Sequence, residues 1–411
     1  MRDVVIVDAV RTPLGKSFRG GLRRTRPDDM AAACIDALLA RQEQIGAERI
    51  EDCIIGCAFP EGPQGMNMGR NIVALSSLPV STAGMTVNRY CASGLQALAI
   101  GAAHIATGGA DALMAGGSES ISMTMRSINM HELFNPAMMQ KAPEMYLEMD
   151  KENLDEVYLK KASRNVARTA ENVARHYGIS RERQDLYACE SHRRAARAWE
   201  EGCFDDEILP IFTEAASGRG QERSGNGAVR RDECIRVDTD MERLARLKPL
   251  FGEEGTVTAG NSSTLSDGAA MTLMVAEEMA ERWNLNPLGR FFGFAVSGCE
   301  PGEMGIGPAL AIPKLLRQFG LALGDIDLIE INEAFASQVL YCRDRLDIDP
   351  ERLNIHGGAI AVGHPYGMTG ARQCGHILRA LRMRGERYGI VSMCVGGGMG
   401  AAALLEAFPA D

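Results

Sequence analysis

The sequence predicts an α/β fold made of two similar halves with a loop domain inserted between them. Three observations lead to this prediction. Short apolar runs alternate with helical stretches up to residue 121, the texture changes after Ser122, and the alternation resumes near Gly255. Such alternation is typical of βαβ units in a parallel sheet. We therefore expect one half at 1–121 plus 253–286, an inserted loop domain at 122–252, and a second half at 287–411.

The first half begins with the apolar run DVVIVDA and ends with DALMAGG, and between them strands and helices follow in order. Cys53 and Cys57 lie on one predicted strand with side chains on the same face, so we expect core packing rather than metal binding. The predicted elements are strand DVVIVDA, helix DDMAAACIDALLARQ, strand DCIIGCA, a helix near Met68–Leu78, strand GMTVN, a further helix and strand DALMAGG.

The inserted region is rich in methionine at MTMRSINM, contains proline up to Tyr146, and then carries the charged helices TAENVARHYG and RERQDLYACESHRRAARAWEEG. This texture indicates a loop domain rather than continued α/β winding.

Two pairs of segments resemble each other across the halves. RYCASGLQALAIGAAHIA and GHPYGMTGARQCGHILRAL each open a helix of small residues with a polar turn. TVTAGNSSTLSDGAAMTLMVA and GIVSMCVGGGMGAAALLEA each combine a strand, a glycine-containing turn and an apolar strand or helix. Two such halves packed together place their equivalent turns around one central site.

Composition narrows the class of function. Acidic residues outnumber basic ones, 54 against 44, and the net charge of −10 argues against nucleic-acid binding. The apolar run near the N-terminus is too short for a secretory signal or a membrane span, and no later run reaches about 18 residues. Eleven cysteines without an export signal indicate free thiols, so we expect a cytoplasmic protein.

Cys91 stands where a short strand changes to a helix rich in alanine, glycine and leucine. Unpaired N–H groups at a helix N-terminus favour a thiolate, so we expect a lowered pKa for Cys91 and a capping role for Ser93. Taken alone, Cys91 is equally compatible with a buried structural cysteine.

Three further turns bear groups that suit catalysis. Asn332 follows the strand DLIEI, and its amide lies where ligands bind in open α/β sheets, although a simple cap is the alternative. His364 lies between Gly363 and Pro365 at a predicted strand-to-helix turn, before a helix with Thr369 and Gly370 as possible caps. It is a candidate base for Cys91, although taken alone a structural histidine is the favoured alternative.

Cys394 opens the segment CVGGGMGAA, in which glycines let the backbone approach a ligand and direct N–H groups at an oxyanion. The segment TAGNSSTLSDGAA adds small hydroxyl and amide side chains suited to a narrow tunnel. Two cysteines, one histidine and one asparagine at turns of one α/β pattern indicate a catalytic site more strongly than any of them alone.

With these residues in view, the chain resembles the thiolase superfamily over nearly its whole length. CAS at Cys91, NEAF at Asn332, GHP at Gly363 and CVG at Cys394 match the four signatures of that family, and GTVTAGNSS and GGAIAVGHP are also similar. The resemblance implies a layered α-β-α-β-α core. It also implies acyl transfer from 3-ketoacyl-CoA through a thioester on Cys91.

The resemblance also implies a role for each matching residue. His364 accepts the proton of Cys91, and Cys394 acts as acid and base at the α-carbon of acetyl-CoA. Asn332, through a held water, and His364 stabilise the enolate oxygen. The backbone N–H groups of Cys91 and Gly396 form a second oxyanion hole.

Substrate contacts and partners follow from the same resemblance. It assigns Ser263 and Leu265 to the pantetheine tunnel, Met304 and Phe335 to the acyl group, and Arg236 to the CoA phosphate, although a solvated surface arginine is the alternative for the last. Coenzyme A is then a substrate, and neither a separate cofactor nor a metal is expected. The resemblance implies that the inserted domain contacts substrate and other subunits in a homodimer or homotetramer. A hydratase–dehydrogenase β-oxidation subunit is a further candidate partner.

Some positions depart from the family pattern. The segment DKENLDEVYLKKASRN is extra sequence, and Ala167 and Arg168 precede Thr169 where relatives often have Met-Gly. Some biosynthetic members have a pantetheine-contacting histidine in this region, and the residue of this chain nearest to that position is Asn165. The absence of the histidine favours a degradative enzyme that accepts a broader range of acyl-chain lengths. His356 replaces a common asparagine, and we interpret it as structural.

The preferred prediction is a 3-ketoacyl-CoA thiolase, and the nearest alternative is a thiolase specific for acetoacetyl-CoA. A dehydrogenase is disfavoured because GGGMG needs a following helix, strand and acidic residue about 20 positions on, and the chain ends at Asp411. A non-catalytic CoA-binding scaffold gives no reason for Cys91, His364 and Cys394 to occur together.

Overall fold

The computed structural model describes residues 1–125, 157–213 and 227–409, and it describes side chains in the helix that begins at residue 157 only from residue 166. The methionine-rich stretch and residues 150–156 of the extra segment therefore lie outside the described residues, and so do the side chains of residues 157–165, including that of Asn165. Within the described residues, the strands form one ten-stranded mixed sheet and a separate two-stranded pair.

The N-terminal part alternates strands and helices as predicted. The second helix ends at Leu75, three residues earlier than predicted, because Ser76 is extended. The elements are β1 (Val4–Arg11), β2 (Gly15–Lys16), α1 (Pro27–Arg41), β3 (Asp52–Gly56), α2 (Met68–Leu75), β4 (Met85–Val87), α3 (Ser93–Ala106), β5 (Ala112–Ser120) and α4 (Ile121–Thr124).

The region between the halves contains the two charged helices that the sequence predicts. The second of them is capped by Ser180, whose hydroxyl accepts a hydrogen bond from the N–H of Arg183 at 3.3 Å. No helix in the described ranges combines the length and apolar character needed to cross a membrane. The elements are α5 (Val157–His176), α6 (Arg181–Glu200), β6 (Ile211–Phe212), β7 (Ala228–Val229) and α7 (Met241–Ala245).

The C-terminal part resumes the alternation with a long apolar strand. Its elements are β8 (Ser266–Ala276), α8 (Glu277–Arg282), β9 (Gly289–Gly298), α9 (Gly307–Phe319), β10 (Leu328–Ile331), α10 (Ala336–Leu346), α11 (Ala359–Val362), α12 (Thr369–Arg384), β11 (Tyr388–Val395) and β12 (Met399–Ala407).

The sheet has the same arrangement on both sides of its middle, where β9 pairs with β1. The strand order is β10-β11-β12-β9-β1-β8-β5-β3-β4, with β2 beside β8. On one side, β8 runs antiparallel to its neighbours β1 and β5, and β5 is parallel to β3. On the other side, β12 runs antiparallel to its neighbours β9 and β11, and β11 is parallel to β10. This correspondence confirms the two similar halves, with β8 and β12 from the paired segments.

The expectation of a parallel sheet was wrong, because the sheet is mixed. Strands β11 and β12 are joined by a turn of only three residues, Gly396–Gly398. So short a connection joins antiparallel strands, whereas a parallel pair needs a crossover. Strand β8 is antiparallel to β5 in the same way.

The helices divide into three layers around the two half-sheets, which confirms the layered core. Helices α1 and α2 pack on the outer face of the N-terminal half-sheet, and α9 and α10 pack on the outer face of the C-terminal one. Helices α3 and α12 share one apolar cluster with strands of both half-sheets. Their glycines permit this contact, since a Cβ at Gly370 would lie 2.6 Å from the Cβ of Leu95. The turns at the starts of α3 and α12 are thereby brought together.

Candidate active site

Cys91 lies in a short 3₁₀ turn, Tyr90–Ala92, immediately before α3. Tyr90 has φ of +45°, a left-handed conformation that is uncommon for a residue other than glycine. The hydroxyl of Ser93 donates to the carbonyl oxygen of Tyr90 at 2.6 Å and accepts from the N–H of Arg89 at 2.9 Å. The predicted capping role of Ser93 was wrong, because its side chain stabilises the turn that presents Cys91 instead of bonding to the helix.

The pKa of Cys91 is raised rather than lowered, contrary to expectation. Burial raises it to about 12, although the backbone N–H groups of Gly396 and of Cys91 itself act in the opposite direction. The sulfur therefore faces two N–H donors yet rests as a thiol. A base must remove its proton before it can attack.

Cys394 lies near the end of β11, opposite Gly400 of β12, and is completely buried. Burial raises the pKa of this thiol well above its usual value, and the next contribution comes from Cys91. The structure therefore brings the two cysteines together from distant parts of the chain. A Cβ at Gly396, two residues after Cys394, would lie 3.6 Å from the ring of Tyr90, the residue before Cys91.

The turn after Cys394 requires glycine. Gly397 and Gly398 both have φ of +82°, and a Cβ at Gly398 would lie 2.4 Å from the carbonyl oxygen of Cys299. This conformation brings the N–H of Gly396 to the sulfur of Cys91. Residues at the glycine turn and at the 3₁₀ turn thus supply the donors that the second oxyanion hole was expected to contain.

His364 and Asn332 form a buried pair, with Nδ2 of Asn332 3.2 Å from Nε2 of His364. The Thr369 hydroxyl donates to the carbonyl oxygen of Pro365 at 2.8 Å, so its oxygen accepts from Nδ1–H of His364 at 2.7 Å. This places the imidazole proton on Nδ1 and leaves Nε2 as an acceptor. Burial lowers the pKa of His364 to about 3, so the ring is neutral at neutral pH.

The segment before His364 is a short helix, α11, and not the predicted strand. The N–H of Ile360, near the start of α11, donates to the buried carboxylate of Glu333 at 3.1 Å. This side chain satisfies a backbone N–H that has no partner within the helix. Gly363, with φ of +112°, then redirects the chain, and the N–H of His364 donates to the carbonyl oxygen of Thr264 at 3.0 Å.

Asn332 follows β10 and is anchored to the strand that bears Cys394. Its N–H donates to the carbonyl oxygen of Ser392 at 2.8 Å. Among the described residues, its buried Oδ1 has no hydrogen-bond partner. A buried acceptor of this kind is suited to a substrate group or an ordered water molecule.

The expected substrate-contact residues lie around these groups. Met304 and Phe335 belong to the same apolar cluster as Cys394. The N–H of Ser263 donates to the carbonyl oxygen of Ala334 at 2.9 Å, and Leu265 forms a bridge to His364. Residues 256–265 do not form the expected strand, because only isolated bridges pair them with the two neighbouring catalytic turns.

Arg236 is exposed and lies further out. It borders a cavity of about 500 Å³ that is also lined by His192, Arg193 and Arg197. Cys234, two residues before it, lies 3.7 Å from the hydroxyl of Ser266, which follows Leu265. The arginine is therefore connected to the residue after Leu265 through the short segment 234–236.

Several residues of the site were not identified from the sequence. Thr369 was noted only as a possible cap, although it orients His364. Tyr366 stacks edge-on against His364 with ring centres 4.8 Å apart. Glu119 is completely buried and influences the pKa of Cys91. A carboxylate at the end of the apolar strand ALMAGGSES was the available signal, because glutamate is rarely buried without partners.

Two remaining predictions can be compared with the structure directly. GGGMG joins two strands, β11 and β12, and is not followed by a helix, so it is not a dinucleotide fingerprint. Nδ1 of His356 lies 3.0 Å from Nε2 of His376, so His356 is part of a histidine pair.

Comparison with known proteins gives a consistent result. The family model described as "Thiolase, N-terminal domain" matches residues 4–278, and the one described as "Thiolase, C-terminal domain" matches residues 285–407. A 3-ketoacyl-CoA thiolase of Bacillus subtilis is 45% identical over 409 residues, covering 99% of this chain and 100% of that protein.

Solved structures agree. The dimeric peroxisomal thiolase of Saccharomyces cerevisiae superposes with a TM-score of 0.87 at 37% identity and covers 99% of this chain and 98% of its own. An acetyl-CoA acetyltransferase of Bacillus anthracis gives a TM-score of 0.86 at 35% identity, with 99% of each chain covered.

Proposed function

Because the chain belongs to the thiolase family, we propose that it is a 3-ketoacyl-CoA thiolase that shortens 3-ketoacyl-CoA by ping-pong acyl transfer. The observation that carries the proposal is the close approach of the Cys91 and Cys394 turns, where a Cβ at Gly396 would lie 3.6 Å from the Tyr90 ring, together with the neutral His364–Asn332 pair. Cleavage next to a ketone needs a nucleophile, an enolate stabiliser and a proton donor at separate positions. These side chains supply all three.

In the first step, His364 accepts the proton of Cys91 on Nε2, the nitrogen that Thr369 leaves unprotonated. The thiolate attacks the 3-keto carbon, and the oxygen that becomes negative is held by the N–H groups of Cys91 and Gly396. These donors lie at turns fixed by Ser93 and by the glycines after Cys394. They are therefore oriented before substrate binds.

In the second step, the tetrahedral intermediate collapses and the bond between carbons 2 and 3 breaks. The acyl group stays on Cys91 as a thioester, and the electron pair of the broken bond forms the enolate of acetyl-CoA. Protonated His364 stabilises its oxygen directly, and Asn332 does so through a water molecule that donates to its Oδ1, which has no other partner among the described residues. Cys394 gives a proton to carbon 2. The high pKa of the buried Cys394 thiol keeps that proton available.

The second half-reaction regenerates the enzyme. Acetyl-CoA leaves, a new CoA thiol binds, and the Cys394 thiolate takes its proton. The CoA sulfur attacks the thioester carbonyl, the bond to Cys91 breaks, and acyl-CoA is released. Cys91 recovers its proton from His364, so each group ends in its starting state.

Substrate binding uses the residues around the catalytic turns. Met304 and Phe335 contact the acyl chain, since they pack in one apolar cluster with Cys394. Ser263 and Leu265 line the pantetheine tunnel between the two catalytic turns, and Arg236 meets a CoA phosphate at its mouth. The mechanism uses coenzyme A as a substrate and assigns no step to a further cofactor or metal.

A thiolase specific for acetoacetyl-CoA is the alternative, because the same catalytic groups serve both. Steady-state thiolysis of 3-ketoacyl-CoA substrates of increasing length separates them. We expect turnover to persist as the chain lengthens beyond four carbons. Activity confined to acetoacetyl-CoA would reject the broader enzyme, and no thiolysis of any substrate would reject the proposed function.

We further propose that two copies form a homodimer through the edge of β4. The outer edge of β10 is covered by the segment 352–354. The N–H of Ile329 donates to the carbonyl oxygen of Arg352 at 2.8 Å, and the N–H of Asn354 donates to the carbonyl oxygen of Ile329 at 3.0 Å. Within the described residues, β4 pairs only with β3. Exposed apolar side chains lie around it, and an open edge with such surroundings invites pairing about a twofold axis. The exposed apolar side chains around β4 are Met66, Leu75, Val80 and Met85.

The charge-introducing variant Met85→Lys tests this surface. We expect it to elute as a monomer in size-exclusion chromatography with light scattering, while wild type is a dimer. Leu310→Lys, at an exposed apolar position on α9, is the matched control and should remain dimeric. A wild-type monomer, or a dimeric Met85→Lys, would contradict the β4 interface, and a wild-type tetramer would show an additional contact.

A cytoplasmic location is proposed because all eleven cysteines are free thiols, as is usual in a reducing compartment. Cell fractionation tests it. Association with a hydratase–dehydrogenase subunit stays a prediction, which copurification from cells at native expression level would test.

A further inference from the structure

Glu119 is a completely buried carboxylate near the end of β5 and has no step in the mechanism above. Its Oε2 accepts the N–H of Ala58 at 2.8 Å and the N–H of Gly367 at 2.9 Å. Its Oε1 accepts Nε2 of Gln64 at 2.5 Å and the N–H of Phe59 at 3.3 Å. One side chain thus joins the chain after β3 to the turn that follows His364.

The groups held by Glu119 extend to the catalytic histidine. The Phe59 ring contacts the Tyr366 ring edge-on with centres 5.7 Å apart, and Tyr366 contacts His364 in the same way at 4.8 Å. Gly367 is the residue after Tyr366, so the carboxylate fixes both ends of this aromatic contact. The imidazole is therefore contacted by the Tyr366 ring, which adjoins two residues, Phe59 and Gly367, whose backbone N–H groups are bound to Glu119.

The same turn also contacts the nucleophile's helix. A Cβ at Gly94 would lie 2.7 Å from the carbonyl oxygen of Gly367, and a Cβ at Gly117 would lie 2.0 Å from that oxygen. The 366–368 turn therefore has no free space on the sides of α3 and β5. Within this turn, the N–H of Gly367 donates a hydrogen bond to the carboxylate of Glu119.

From these contacts, and resting on the proposed function, we propose that Glu119 is a positioning residue that holds the His364 turn in register with the Cys91 turn. Its carboxylate is suited to this task because it accepts four hydrogen bonds from nitrogen donors, three within residues 58–64 and one at Gly367. An amide in its place turns one of those oxygens into a donor, which leaves a buried N–H unpaired.

The charge of Glu119 also acts on the site. Burial raises its pKa to about 7, and its ionised form raises the pKa of the Cys91 thiol. The ionisable groups near it are the Cys57 thiol at 3.8 Å, Cys91 and the Tyr366 hydroxyl, and each is neutral around pH 7 because its own pKa is raised. A change in Glu119 ionisation is therefore felt directly by the nucleophile.

The variant Glu119→Gln tests the proposal in the full-length enzyme. We expect kcat for thiolysis to fall at least tenfold with less than a threefold change in KM, since alignment rather than binding is lost. The second readout is the rate of Cys91 alkylation by iodoacetamide, located by peptide mass spectrometry. The ratio of rates at pH 8 and pH 6 should be at least threefold larger in Glu119→Gln, because no carboxylate ionises to oppose the thiolate.

A milder variant separates positioning from charge and remains informative if Glu119→Gln folds poorly. Phe59→Leu, at a half-buried position, removes the ring contact but keeps the carboxylate. We expect kcat to fall at least threefold with an unchanged pH dependence of alkylation. Wild-type kcat in both variants would overturn the positioning role.

The matched control is Glu333→Gln, a second completely buried carboxylate near the site that is bound by Ser191, Tyr187 and Ile360. It should leave the pH dependence of Cys91 alkylation unchanged, and the same change in both glutamine variants would overturn the specific link to Glu119. Alkylation needs no CoA substrate. It therefore tests Glu119 even if the wild type fails to cleave 3-ketoacyl-CoA.

Discussion

The Cys91 turn and the Cys394 turn place two thiols in one site with different surroundings. Cys91 stands before a helix, at a turn held by Ser93. Cys394 belongs to a strand paired on both sides and lies among apolar side chains. The pKa of both is raised by burial, but only Cys91 faces the N–H of Gly396.

This difference assigns the two thiols to different tasks. A sulfur beside N–H donors suits nucleophilic attack, because the donors remain to hold the oxyanion of the carbonyl it attacks. A sulfur in an apolar strand environment keeps its proton and returns it to carbon more readily than it attacks. Chemically identical side chains therefore differ in role because of the backbone around them.

The largest expected effect is the loss of the nucleophile. Cys91→Ala should lower kcat for thiolysis by about 10⁴-fold or more, because the acyl thioester has no other site to form. Steady-state assays with a 3-ketoacyl-CoA check this. The control Cys189→Ala removes a half-buried thiol from α6 and should retain wild-type activity. Comparable losses in both would mean that thiol removal harms the fold generally.

Loss of Cys394 should have a smaller effect. Cys394→Ala is expected to lower kcat by about 10²–10⁴-fold, the range for a missing general acid–base group. Stopped-flow kinetics can follow the transfer of an acetyl group from acetyl-CoA to the enzyme. Both this transfer and turnover should slow less in Cys394→Ala than in Cys91→Ala. Equal losses in the two cysteine variants would remove the distinction between them.

Thr369→Val probes the base that serves the Cys91 turn. Without the hydroxyl, Nδ1–H of His364 has no acceptor and the tautomer with a free Nε2 is no longer favoured. A lost buried partner costs about 1–3 kcal/mol, so we expect kcat/KM to fall roughly 10- to 100-fold. Thr369→Ser keeps the hydroxyl and should stay within about threefold of wild type. If valine is tolerated as well as serine, the hydrogen bond does not set the tautomer.

The smallest effect concerns stability and pH. Because the folded pKa of His364 is about 3 and the unfolded value is near 6.5, the unfolded chain binds the proton first as pH falls. Stability contributed by neutral His364 is thus present above pH ~6.5 and decreases toward pH ~3. Between pH 7 and pH 5.5 the wild type should lose about 1 kcal/mol more than His364→Asn, measured by denaturant unfolding. Parallel curves for the two proteins would contradict a neutral buried imidazole.

Sequence patterns were sufficient for most strands and helices and for the turns that bear the four candidate residues, although a helix, α11, replaces the strand predicted before His364. Apolar periodicity located β1, α1, β3 and α3, and the paired segments predicted the matching half-sheets. Strand direction was not predicted, because the direction of β8 and β12 depends on how each chain segment returns to the sheet, and local periodicity does not encode this.

The parts of the site that were missed depend on three-dimensional contacts. The raised pKa of Cys91 results from burial in the folded chain, which outweighs the N–H donors expected from the local pattern. Ser93 and Thr369 bond within their own turns rather than cap helices. Glu119 acquires its role from Gly367, a residue far away in the sequence.

The most direct test of the account is single-turnover acylation with isotopically labelled acetyl-CoA, followed by peptide mapping of the labelled residue. We expect one label per chain, on Cys91, and no label when Cys91 is replaced by alanine. A label on Cys394, or a stable label elsewhere in the Cys91→Ala variant, would contradict the assignment of the two thiols.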